Sequence, residues 1–156
     1  MNKNLVLVSG AIVFREKGKD VEWFLVKLSD DDGWEIPKVA VRKGESSVRA
    51  ALRMMGEKAA MTTRVLEEVG RAGGVTNLNG KTLPQRHLYY LMLSKFDANE
   101  AIGFSEYAWL GHAQAMRKTS SKREKTMIKE AKLAYKKWKK ERKARRKIQD
   151  EEETTE

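Results

Sequence analysis

One segment, Trp34–Met61 (WEIPKVAVRKGESSVRAALRMMGEKAAM), constrains this chain more than any other. Its first half, with Pro37 and Gly44, is too broken for a helix, and its second half has helical periodicity. Val48, Ala51, Leu52, Met55 and Ala59 recur at the helical spacing and are expected to face a core. Ser46 is placed to cap that helix, and Gly56 inside it costs on the order of 1 kcal/mol against alanine. Strand-like runs lie on both sides. Leu5–Phe14 and Val21–Leu28 precede it, joined by a polar turn at Gly18. Arg64–Val69, Gly74–Leu78, Arg86–Leu93 and Glu106–Leu110 follow, with Asn79-Gly80 as a hairpin signal. A helix inserted between strands predicts an α/β domain.

The polar residues of the segment keep a definite spacing. Glu45 is followed by seven residues, then Arg53, with Met55, Glu57 and Met61 after it at fixed offsets. This pattern resembles the box of the Nudix hydrolase family: Gly, five residues, Glu, seven residues, then Arg-Glu-apolar-any-Glu-Glu-any-Gly-apolar. Glu45, Arg53 and Glu57 fall on box positions, with Gly44-Glu45-Ser46 in the usual form. Four positions depart from it: Val39 stands for the opening glycine, Met54 for a glutamate, Lys58 for a second glutamate and Ala60 for the closing glycine. Trp34-Glu35-Ile36-Pro37-Lys38 is similar to the Trp-x-x-Pro-Lys-Gly element of the diadenosine and diphosphoinositol polyphosphate group. Glu106-Tyr107-Ala108-Trp109-Leu110, followed by Ala113–Met116, resembles that group's Glu-x-x-Trp element and its helix. Glu67-Glu68-Val69-Gly70 looks like a box ending but sits ten residues late, and reads as strand. The resemblance implies the Nudix fold, a mixed β-sheet sandwiched between α-helices, here with a long basic C-terminal helix.

In that family the box carboxylates hold divalent metal against a phosphoanhydride, and Mg²⁺ then orients water and neutralises charge. Residues three and four apart share a helix face, so Met54 is expected beside Glu57 and Lys58 on the metal side. An ammonium at position 58 opposes metal binding, and can instead meet phosphate as a point charge. Lys38, Arg42, Lys43 and Lys58 are therefore the expected phosphate-binding residues, with Arg49 and Arg53 nearby. No catalytic residue and no metal or other cofactor is expected; were the chain active, Mg²⁺ on Glu45 and Glu57 is the expectation. Arg53 and Glu57, spaced i,i+4, are expected to pair as helix-stabilising neighbours.

The chain carries a net charge of +10, and residues 117–149 account for more than all of it, with 16 Lys/Arg against 3 Asp/Glu. The charge argument therefore belongs to the C-terminal part alone. A helix is expected from near Ser121 towards Gln149. Met127, Ala131, Ala134 and Trp138 form its docking stripe, with Ile128 and Tyr135 beside it. This divides the chain into a domain, 1–138, and a charged, exposed tail, 139–156. Lys136, Lys137, Lys139, Lys140, Arg142, Lys143, Arg145, Arg146 and Lys147 are the expected contacts to RNA or a ribonucleoprotein, unless Asp150–Glu156 folds back and masks them. With no cysteine there is no disulfide and no thiolate metal site. No apolar run reaches membrane-spanning length, and the Met-Asn-Lys-Asn-Leu-Val start lacks a signal-peptide core, so a cytoplasmic location is expected.

The leading expectation is a Nudix-fold protein that binds a nucleotide, polyphosphate or RNA through basic residues without cutting it. The resemblance allows this, since the fold includes non-hydrolytic regulators and ribosomal components. The alternative is a Mg-dependent hydrolase of nucleoside or dinucleoside polyphosphates with displaced ligands, drawn from Glu67, Glu68, Glu100 or Glu106. A scaffold subunit with an unused box is the third reading.

Overall fold

A computed structural model describes residues 5–154. Residues 1–4, which begin the segment read for a signal peptide, and residues 155 and 156 of the acidic end lie outside the described residues.

Six strands form one mixed sheet: β1 (Val6–Lys17), β2 (Asp20–Lys27), β3 (Lys38–Ala40), β4 (Met61–Leu78), β5 (Lys81–Asp97) and β6 (Glu106–Leu110). The strand order is β4-β5-β1-β2-β6, with β3 pairing β1 off this path. Among the described residues, only the β1–β5 ladder is parallel. The helices among the described residues are α1 (Ser47–Ala59), α2 (His112–Lys118) and α3 (Lys122–Thr154).

Helices cover both faces of the central strands, so these strands read as unbroken apolar runs. Alternation along each strand then divides the core in two. Ala11, Val13, Phe24, Val26, Tyr90 and Met92 point towards α1 and meet Ala51, Met54, Met55 and Ala59. Ile12, Phe14, Trp23, Leu25, Tyr89 and Leu91 point the other way and meet Ala115 of α2 and Met127, Ile128, Ala131 and Tyr135 of α3. The α3 stripe read from the sequence is therefore the docked one. Phe14 anchors it, with ring centroids 4.8 Å from Tyr135 and 5.7 Å from Trp138. Gly10 is required where β1 passes over Tyr89, since a Cβ there would stand 2.6 Å from the ring.

Three expectations are corrected. Arg64–Val69 and Gly74–Leu78 belong to one strand, β4. Its register shifts at 62/63, 65/67 and 68/70 break the sequence alternation, yet β5 keeps pairing along its whole length. The hairpin turn is as expected, with Asn79 and Gly80 both at positive φ (52° and 79°). The acidic end, left open in the sequence as a mask for the basic run, does not fold back over it within the described residues. α3 continues through Asp150–Glu153, so these acids extend the helix beyond it. Docking also reaches one turn past Trp138, where Arg142 grips Glu16 with 2.7 and 2.9 Å hydrogen bonds.

The third correction concerns α1. Val48 and Leu52 are 36% and 37% exposed, whereas Ala50, Ala51, Met54, Met55 and Ala59 are buried. The helix is rolled relative to the face read from the sequence. Two methionines fill the space over the sheet more fully than Val48 and Leu52 would, and their flexible thioethers adapt to it.

Candidate functional site

The loop before α1 is closed by its own charges. Gly44, at φ 79°, turns the chain so that Glu45 reaches back. The Glu45 carboxylate accepts from the Arg42 backbone N–H at 3.1 Å and from Arg53 Nε and Nη2 at 2.7 and 3.0 Å. Arg53 also donates to the Ala40 carbonyl at 3.3 Å. These bonds, the Arg53 guanidinium first, hold the Glu45 carboxyl down at about 2 against an ordinary 4.5. Ser46 caps the helix as expected, accepting from the Arg49 N–H at 3.1 Å. The expected Arg53–Glu57 pair is present but secondary, at 3.7 Å.

At the other end of α1, the C-cap Ala60 sits in the left-handed region (φ 50°, ψ 45°). The 98–104 loop packs on the last turn. The Gly103 N–H donates to the Lys58 carbonyl at 2.9 Å, and a Cβ at Gly103 would approach Lys58 Cβ to 2.5 Å. The Lys58 ammonium stands 5.9 Å from the Phe104 ring centroid.

The substituted box position 54 carries no exposed side chain. Met54 is fully buried in the cluster between α1 and the sheet. Of the residual box carboxylates, Glu45 is held by Arg53, which leaves Glu57, whose side chain is 57% exposed. Among the described residues, no three His, Asp or Glu side chains come together as a metal-holding group. Magnesium, which the resemblance implies, demands several oxygen ligands in near-octahedral geometry, and this donor set does not fit it. Glu67 and Glu68 lie in a cleft beside α3, and Glu106 pairs with Lys27 at 3.3 Å.

The predicted phosphate-binding cations separate. The Lys38 ammonium is already held by the Ile36 carbonyl at 2.8 Å, Glu124 at 2.8 Å and Glu35 at 2.9 Å. Glu124, itself buried, also accepts from the Ile36 N–H and the Tyr89 hydroxyl. Lys38 thus fastens β3 to α3. Arg42 and Lys43 instead line a groove of about 490 Å³ between the start of β1 and the loop. Its other walls are Leu5, Val6, Leu7, Val41, Gly44 and Glu45. The apolar wall was read from the sequence only as strand, and nothing local marks it as part of a groove.

The two-faced mixed sheet, the helix at the box position and the arginine-held Glu45 define a Nudix-type domain. The family profile for the NUDIX domain matches residues 5–131, and the chain belongs to that family. No curated protein sequence matches it. Among solved structures it is similar to a C. elegans Ap4A hydrolase in a binary complex, at 20% identity and a TM-score of 0.67 over 83% of this chain and 97% of that one. It is also similar to the NUDIX domain of Shewanella oneidensis NrtR complexed with ADP ribose, at 18% identity and 0.67 over 85% and 90%. The MutT protein of Methanosarcina mazei Go1 matches at 17% and 0.63 over 87% and 99%. At these identities the likeness establishes the fold and leaves the chemistry to the residues.

Proposed function

We propose that this NUDIX-family protein binds a nucleotide or polyphosphate without hydrolysing it. One observation carries the reading: α1 offers a single exposed box carboxylate, Glu57, itself paired with Arg53 at 3.7 Å, because Met54 is buried in the core and Lys58 puts an ammonium at the remaining acidic position. The groove beside Arg42 and Lys43 fits such a ligand. Its apolar wall suits a base or ribose and its two cations suit phosphate. The ADP ribose held by the NrtR domain supports the ligand class.

A thermal-shift series with ADP-ribose, ATP and diadenosine tetraphosphate, each with Mg²⁺ or with EDTA, tests it. Ligand at 100-fold excess over Kd adds about 2.7 kcal/mol, which raises Tm by roughly 5–10 °C for a chain of this size. The rise is expected in EDTA and is expected to shrink in Arg42→Gln/Lys43→Gln. Magnesium-dependent release of product, lost in Glu57→Gln, would overturn the proposal.

The second reading, a hydrolase with displaced ligands, has one observation in its favour. Glu100 lies in the loop that packs on the last turn of α1, the turn that carries Glu57. A manganese soak that shows an ion shared by Glu57 and Glu100 would establish it.

A further inference from the structure

The basic character of α3 begins well before the tail. Lys122, Lys125, Lys129, Lys132, Lys136 and Lys139 follow one another at alternating steps of three and four residues. Lys143 and Arg146 continue the series. At 100° per residue these steps keep the side chains on one ridge. The first to the last of the eight span 24 residue steps, about 36 Å along the axis, with one cation every ~5 Å. Met127, Ile128, Ala131 and Tyr135 are buried against the sheet; Lys122, Lys129 and Lys136 stand away from that contact, while Lys125, Lys132 and Lys139 border it, the Lys139 ammonium 5.9 Å from the Tyr135 ring centroid. Among the described residues none of its lysines takes part in an ion pair.

The helix is electrically two-sided. Glu130 and Glu141 lie between about a third and a half of a turn from the ridge and face β4. There, Glu67, Glu68 and Glu130 line a cleft with Leu133, Ala134 and Lys137. Glu67, Lys137 and Glu141 line a second cleft next to it. Lys137 on this flank faces carboxylates; of the ridge cations, Lys139 lies near the Glu16 carboxylate without forming an ion pair with it.

We propose that the outer ridge of α3 is a docking surface for the phosphate backbone of a nucleic acid. A row of evenly spaced point charges is complementary to a linear polyanion. A folded protein would have to present acids in an equally regular line. The ridge carries no apolar side chain to enter a bilayer, which an interfacial helix needs. Of the exposed apolar residues of α3, Ile148 lies off it, and Leu133 borders it next to Lys129 and Lys136, a lone side chain and not the broad apolar face that an interfacial helix buries. Tyr135 and Trp138 pack against Phe14 and are withheld from base stacking, so binding is sequence-indifferent and driven by counterion release. The contact starts inside the docked half of the helix, and the acidic end adds nothing to it. It does not depend on what occupies the groove beside Arg42.

Fluorescence anisotropy of the full chain with a labelled RNA of about 20 nucleotides, between about 50 and 200 mM NaCl, tests the proposal. Two double variants remove the same charge from α3: Lys129→Gln/Lys136→Gln on the ridge, and Lys137→Gln/Arg145→Gln off it. All four positions are exposed, and unchanged circular dichroism is expected. The ridge double is expected to lower the slope of log Kd against log salt by about 1.4, from roughly 0.7 for each phosphate of a single strand that is no longer neutralised. The off-ridge double is expected to lower it by less than half as much. Equal losses from the two doubles would overturn the proposal by showing that net charge alone binds. So would the absence of binding at the lowest salt, or binding to phosphatidylserine vesicles with none to RNA.

Discussion

Two residues at the C-terminal end of α1 stand in each other's place, and exchanging their types should stabilise the fold. Gly56 is in the helix interior, where an added Cβ would meet nothing within 4 Å. Alanine there restores helix propensity worth about 1 kcal/mol. Ala60 closes the helix at φ 50°, ψ 45°, a left-handed conformation that costs an L-residue roughly 1–2 kcal/mol. Glycine relieves that cost, offset by about 0.5–1 kcal/mol of extra freedom in the unfolded chain. The net gain expected from Ala60→Gly is therefore about 0.5–1 kcal/mol. The two sites have no shared side-chain partner, so Gly56→Ala/Ala60→Gly is expected to gain about 1.5–2 kcal/mol, close to the sum. Urea denaturation followed by tryptophan fluorescence reads this as a higher midpoint at unchanged slope. Calorimetry should show a Tm rise of roughly 3–8 °C. If Ala60→Gly lowers the midpoint, the helix does not end in the conformation described, and the left-handed cap at the altered box ending is refuted with it.

Two further outcomes bear on the box. Met54→Glu puts a carboxylate into the space between α1 and the sheet, and is expected to cost about 3 kcal/mol or more by urea denaturation; a variant that stays as stable as the parent and gains magnesium-dependent thermal stability would show that position 54 can reach a metal site after all. Glu45→Gln is expected to remove a pH-dependent part of the stability. The Glu45 carboxyl is held at about 2 in the fold against 4.5 ordinarily, so its contribution is complete above about 4.5 and fades as pH falls towards 2. The gap between parent and variant should accordingly be constant at neutral pH and close in acid, and a gap that persists at pH near 2 would contradict the Arg53 pairing.

Much of the fold was legible because the signals are local. The Ser46 cap, the Asn79-Gly80 turn, the docking stripe of α3 and the spacing of Glu45, Arg53 and Glu57 each depend on neighbours within a few residues, and a linear reading recovers them. Where alternation was interrupted by bulges, as in β4, the linear reading split one strand into two. The helix α1 was recognised, but its buried face was not. A period fixes which residues lie together on a helix, and leaves the helix free to roll against what it packs on.

From the chain alone came the α/β class, the box spacing and the concentration of charge towards the C-terminus, because all three are properties of order along the sequence. Tertiary structure decided the roles of individual side chains. It sent Met54 into the core, gave Lys38 to a buried glutamate 86 residues away, and tied Arg142 to Glu16 across 126 residues. Burial and charge pairing depend on distances through space, and those exist only once the sheet has brought its helices together.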